Sequence, residues 1–128
     1  MKFLSTKNIG DFGERQAAKF LRKQGYRILE RNRHQSHNEL DIVASNREYL
    51  VFVEVKTRRL TEYFDENNAP SVAVTHAKRN RLLAAARAYM YSHPTTKQPR
   101  MDVIEIWLAE DGCTVSKIEH IRNAFGSK

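Results

Sequence analysis

ELDIVASNREYLVFVEVKTR, residues Glu39 to Arg58, reads as two strands joined by the polar turn Ser45-Asn46-Arg47-Glu48. Side chains alternate faces along a strand, so Val51, Val53 and Val55 share one face while Glu54 and Lys56 share the other. Asp41 stands just before the apolar run Ile42-Val43-Ala44 on the first strand. Ionised groups inside a sheet are costly to bury unless they pair with one another or bind a metal. Two carboxylates and a lysine converging on one sheet face therefore mark a candidate site.

The 128 residues fit a single domain, 1–128, large enough to bury a real core. Apolar content of 41% with 29% charged residues describes a globular chain rather than a disordered one. The net charge of +7 favours an anionic partner, nucleic acid first among them. Cys113 is the single cysteine, which rules out an intramolecular disulfide and a thiolate zinc cluster. No apolar run reaches the roughly 18 residues that span a membrane, and the first residues are too short for a secretory signal. The expectation is a cytoplasmic protein with no membrane partner.

Outward from the centre, the spacing of Ile9, Phe12, Ala17, Phe20 and Leu21 predicts a first helix, with Asn8 as its cap and Gly25 ending it in the left-handed conformation. Gly10 and Gly13 suggest that something approaches this helix closely. Glu14 sits at the edge of its buried face, where pairing with a surface lysine or arginine is the plainer reading. Tyr26 to Arg31 forms a first strand, and residues 32–38 a polar, basic loop in which Asn38 could take a positive φ. His34 and His37 read as solvated loop residues or phosphate contacts rather than ligands.

Arg59 to Ser71 reads as a loop, after which Thr75 caps a second helix running to Ser92, with an apolar stripe at Leu82, Leu83, Ala86, Tyr89 and Met90. Lys78, Arg79 and Arg81 near its start oppose the helix dipole, so an external polyanion would explain them better than local complementarity does. A solvated basic face is the alternative. Met101 to Leu108 and Thr114 to Ile121 supply two further strands. Helix, three strands, helix, two strands is an α/β order: a central mixed sheet flanked by helices.

Phosphodiester hydrolysis needs an activated water and relief of the charge that builds on phosphorus. A divalent cation held by carboxylates supplies both, and Mg²⁺ or Mn²⁺ suits such ligands. Asp41 and Glu54 are the candidate ligands, with the Val55 carbonyl beside them and Glu39 sharing the Asp41 face. Lys56, roughly 6.5–7 Å along the strand from Glu54, could orient the water or offset phosphate charge. Arg31, Arg33, Arg58, Lys78 and Arg81 are candidate phosphate contacts. A homodimer is compatible with double-strand cleavage, although no stretch marks its face.

The series Asp41…Glu54-Val55-Lys56 resembles the PD-(D/E)XK nuclease motif, without its proline before the aspartate. Over nearly the full length the chain resembles the YraN family of small bacterial proteins. The matching pieces are GDFGE (10–14), GYRIL (25–29), ELDIVA (39–44), LVFVEVKTR (50–58), VTHAK (74–78) and RMDV (100–103). Asn38 stands where that family places glycine. The resemblance implies a restriction-endonuclease-like fold related to Holliday-junction resolvases, and activity on structured or branched DNA. It also implies that Glu14 completes the metal site with Asp41 and Glu54. A nucleic-acid-binding module or partner subunit that keeps the fold without cutting is the alternative.

Overall fold

The computed structural model describes residues 6–35, 38–59 and 75–126. Helix α1 (Thr6–Lys23) leads into β1 (Arg27–Gln35), β2 (Asn38–Ser45) and β3 (Tyr49–Arg59). Helix α2 (His76–Ser92) then precedes β4 (Gln98–Leu108) and β5 (Val115–Phe125). The strands form one sheet in the order β1-β2-β3-β4-β5. Only β3 and β4 run parallel, joined by the α2 crossover, and the other neighbours are antiparallel. The expected α/β fold with a mixed sheet is thus present. Among the described residues no helix is long and apolar enough to cross a membrane.

Helix ends follow local chemistry. At the end of α1, Gly25 adopts φ +92, its N–H donates to the Arg22 carbonyl, and the Tyr26 N–H donates to the Leu21 carbonyl. This reciprocal pair is a Schellman cap, and Tyr26 and Leu21 bury together beneath it. Thr75 caps α2 by accepting from the Lys78 N–H at 3.2 Å. Other boundaries differ from expectation. Helix α1 starts at Thr6, so Asn8 lies inside it. Strand β1 runs on to Gln35 through the expected loop, because His34 and Gln35 pair with Glu39 and Asn38. Asn38 is therefore ordinary extended strand, and left-handed backbone occurs instead at Asn32 (φ 52) and Asn123 (φ 51). His34 is an exposed strand residue, while His37 and most of the loop expected at 59–71 lie outside the described residues.

Alternation along the central strands divides the core. Ile42, Ala44, Val51, Val53, Ile104 and Ile106 pack with Ala17, Ala18 and Leu21 of α1. Val43, Leu50, Phe52, Met101 and Val103 pack with Leu82, Ala85, Ala86 and Tyr89 of α2. One helix covers each face, and Glu54 and Lys56 continue the α2 face where that helix begins. Helix α1 comes close to β3 at Gly13. A Cβ built there would stand 1.8 Å from Thr57 Oγ1 and 2.9 Å from Thr57 Cβ. Of the two glycines expected to mark a close approach, Gly13 does so, next to Glu14, whereas a Cβ at Gly10 would meet nothing within 4 Å.

Strand β4 carries two carboxylates with 0% exposure, Asp102 and Glu105. Asp102 is satisfied by Arg100 Nε at 2.9 Å and Nη2 at 2.8 Å, His120 Nε2 at 2.7 Å and the Asn123 N–H at 3.0 Å. Burial alone would raise its pKa, but His120 and Arg100 outweigh it and hold the carboxyl below its ordinary range. Neither oxygen of Glu105 meets a hydrogen-bond donor. Burial, and then the Glu119 carboxylate opposite, push Glu105 up to about 7 against the pull of Arg58 and Lys117.

Two outcomes follow for stability. Gly13→Ala, which in an open helix would gain about 0.5–1 kcal/mol, should instead destabilise by about 1–3 kcal/mol in urea unfolding, and Thr57→Gly should restore part of the loss. Because the folded pKa of Glu105 lies above its unfolded value, the folded chain keeps a proton that the unfolded chain releases. Stability from this group is complete below pH 4.5 and falls as pH rises toward 7. Glu105→Gln should therefore raise the unfolding midpoint at pH 8 by roughly 3–8 °C and change it little at pH 4. A lower midpoint at pH 8 would show instead that the ionised carboxylate is needed.

Candidate metal centre

The site forms where two neighbouring strands part. The β2–β3 ladder ends at Ile42↔Val53, after which β2 stays with β1 and β3 stays with β4. Asp41 and Glu54 are each one residue past that last pair. The Asp41 side chain fills the first gap in the ladder: Oδ2 accepts the Val55 N–H at 2.9 Å. A hydrogen-bonding group left unpaired there would be destabilising, so one carboxylate oxygen does structural service.

Three carboxylates meet in that opening. One ligand oxygen from each of Glu14, Glu39 and Asp41 lies within 4.8 Å of the others. Their electrostatics record the crowding. Burial, then the charges of Glu39, Asp11 and Glu54, push Glu14 up to about 7 against the pull of Arg31. Burial and the neighbouring Glu54 carboxylate push Asp41 up to about 8, although the Val55 N–H works the other way. A cation among these groups would turn mutual repulsion into shared attraction. The donors are all carboxylate oxygens, which suits a hard divalent ion and disfavours a thiophilic one.

Glu54 lies beside this group, only 6% exposed, and is bound by lysines from two elements. Lys78 Nζ of α2 approaches Glu54 Oε1 at 2.6 Å, and Lys56 Nζ of β3 approaches the same oxygen at 3.4 Å. Burial, and then Lys78, lower the Lys56 pKa against the pull of Glu54. Burial would lower Lys78 too, but its bond to Glu54 and its contact with Lys56 outweigh that and raise it. Gly10, Glu14, Asp41, Glu54, Lys56, Arg59 and Lys78 border one open cavity of about 500 Å³, into which Gly10 projects no side chain.

The structure therefore brings together Glu14, Asp41, Glu54, Lys56 and Lys78. Exposed Arg31 is close enough for its charge to act on Glu14. Arg33 turns elsewhere: it bonds Glu30 at 2.9 Å and lies over the Tyr89 ring at 5.4 Å. Arg58 is half-buried on β3 and does not border the cavity, and Arg81 is exposed on α2. Two bordering or adjoining residues escaped the sequence reading. Arg59 lies three positions beyond Lys56, the motif's basic residue, and next to Arg58. Asn32 turns its side-chain amide onto two of the carboxylates. With nitrogen inward it donates to Glu14 Oε1 at 2.5 Å, Glu14 Oε2 at 3.1 Å and Glu39 Oε1 at 2.9 Å. Oxygen inward would set three acceptors against one another. Its sequence signal is faint: an asparagine, tolerant of positive φ, between two arginines of a strand.

Comparison with known proteins agrees with the sequence resemblance. The chain is 39% identical to a UPF0102 protein of Caldanaerobacter subterraneus subsp. tengcongensis over 98% of this chain and 100% of that one. It is 47% identical to a UPF0102 protein of Syntrophomonas wolfei over 93% of this chain and 98% of that one. A UPF0102 protein of Clostridioides difficile is 35% identical over 95% and 100% respectively. The family model described as uncharacterised protein family UPF0102 matches residues 13–106, a span that holds Glu14, Glu39, Asp41, Glu54, Lys56 and Lys78. The chain belongs to the UPF0102 family, the YraN family of its sequence resemblance.

Proposed function

We propose that this protein is a divalent-metal-dependent endonuclease that hydrolyses phosphodiester bonds in structured or branched DNA. The observation that carries the reading is the meeting of Glu14, Glu39 and Asp41 within 4.8 Å beside a buried Glu54 that is tied to two lysines. Glu14, Asp41 and Glu54 would hold Mg²⁺ or Mn²⁺, with Glu39 as a further ligand. When bound, the ion supplies Lewis acidity that lowers the pKa of a water and offsets charge on the phosphate.

The chain's own groups account for the rest. Asp41 keeps its carboxylate aimed at the cavity by anchoring Oδ2 on the Val55 N–H. Glu54 holds the Lys56 ammonium or amine at the cavity wall, where it can orient a water or meet a phosphoryl oxygen. Lys78 and Arg59 border the same cavity and supply positive charge to a phosphate entering it. Arg31 adds positive charge near Glu14, in keeping with the net charge of +7, and Arg58 and Arg81 stay candidate contacts for phosphates farther along a bound strand.

A second reading, a nucleic-acid-binding partner subunit that does not cut, is favoured by one observation: Glu54 is engaged by lysines instead of joining the carboxylate trio. The two readings separate in one panel. Purified protein with Mn²⁺ is presented with single-stranded, duplex, flapped and four-way-junction DNA. The nuclease reading expects cleavage of a branched form, abolished by chelator and by Asp41→Asn, and slowed roughly 10²–10⁴-fold by Lys56→Ala. Salt-sensitive binding that chelator and Lys56→Ala leave unchanged, with no cleavage of any form, would establish the binding module instead.

A further inference from the structure

Asn32 is the one residue of the site held in left-handed backbone, φ 52. A non-glycine residue in that region carries strain that surrounding contacts must offset, and such strain collects at functional positions. The register shows where it acts. Arg31 pairs with Ile42 and Arg33 with Leu40, so Asn32 falls across from Asp41, at the point where β2 leaves β3. In ordinary antiparallel backbone Asn32 would pair with Asp41 and send its side chain to the same sheet face. The left-handed turn brings this amide to Glu14 of α1 and Glu39 of β2 together.

We infer that Asn32 is a positioning residue for the carboxylate trio, a donor bridge that holds Glu14 and Glu39 at a spacing one divalent cation can span. The inference rests on the metal-centre reading above. Glu14 arrives from a helix on one face of the sheet, and Glu39 from the end of a strand that no longer pairs with β3. Two like charges on independent elements would otherwise separate, each into its own rotamer. An amide nitrogen has two hydrogens, enough to give one to each carboxylate, and it adds no charge that would compete with the ion. Groups that orient ligands in this way carry a substantial share of a site's affinity. Asn123, the other left-handed asparagine, meets a carboxylate through its backbone N–H only, at fully satisfied Asp102. Side-chain bridging therefore distinguishes position 32.

The test compares Asn32→Gly with Asn32→Ala in the full chain. Glycine accepts the left-handed backbone but removes the amide, whereas alanine removes the amide and strains the backbone. Free Mn²⁺ is followed by electron paramagnetic resonance during titration, and unfolding midpoints are measured alongside. Asn32→Gly should weaken Mn²⁺ binding roughly 10-fold or more while its midpoint stays near that of the unaltered chain. Asn32→Ala should lose both affinity and stability. Equal Mn²⁺ affinity for the unaltered chain and Asn32→Gly would overturn the bridge and leave the metal centre standing. If the unaltered chain binds no Mn²⁺, the metal reading falls and a second arm decides alone. In that arm the Asn32 side-chain amide protons are observed by nuclear magnetic resonance without metal. Slow exchange that is lost on Glu14→Gln and Glu39→Gln sustains the bridge, and signals indifferent to both changes overturn it.

Discussion

The hydrogen bond from the Val55 N–H to Asp41 Oδ2 is the contact on which the site's geometry depends. A sheet that continued its β2–β3 ladder past Ile42↔Val53 would place Asp41 and Glu54 as neighbouring cross-strand carboxylates with no space between strands. A sheet that parted with nothing in the gap would leave a backbone donor without its ladder partner. The aspartate resolves both problems by substituting its own oxygen for the missing carbonyl. The strands can then separate at a defined residue, and the separation is what admits Glu14 from α1 and leaves a cavity of about 500 Å³.

At the centre, Glu54 is the buried carboxylate that other elements compensate. Glu54 at 6% exposure would be expensive to ionise alone, but lysines from β3 and α2 approach one of its oxygens. The α2 lysine is delivered by the Thr75 cap, whose hydroxyl accepts the N–H of the same residue, Lys78. The same capping bond that starts the helix thus fixes the height at which its side chain meets Glu54. Beyond the lysines, the α2 face of β4 carries Glu105, a carboxyl with no donor, in contrast with Asp102, three residues earlier on the opposite face. One strand holds a fully satisfied carboxylate and an unsatisfied one, so burial by itself does not identify a structural ion pair.

Much of this arrangement is legible in the sequence alone. Alternation of Val51, Val53 and Val55 against Glu54 and Lys56 assigned the two faces of β3, and Gly25 and Thr75 marked helix ends through known backbone chemistry. Gly13 announced a close approach without saying to what, since Thr57 is 44 residues distant in sequence. What escaped depended on register. Residues 32–35 look like a polar loop in isolation and become strand only because Glu39 and Asn38 lie opposite to pair with them. The acidic motif points to Asn38 as the left-handed residue, yet pairing with Gln35 keeps Asn38 extended and the turn falls at Asn32. Arg33 was grouped with Arg31 by proximity, but the ring of Tyr89 and the carboxylate of Glu30, contacts made through the fold, draw it away.

The arrangement also explains why a short motif is a weak signal here and the constellation a strong one. Glu54-Val55-Lys56 can occur on any half-exposed strand, and its ion pair alone would then be a routine surface contact. Four further conditions hold at once: a strand parting one residue from Glu54, an aspartate bonded across the gap, a glycine that lets a helix deliver Glu14, and an asparagine bent to bridge it to Glu39. Each carries a cost when considered singly, as an interrupted ladder, a crowded carboxyl, a side chain forgone or a strained backbone. A cation shared by the carboxylates would relieve their mutual repulsion, and that is the physical reason to look for one at their centre.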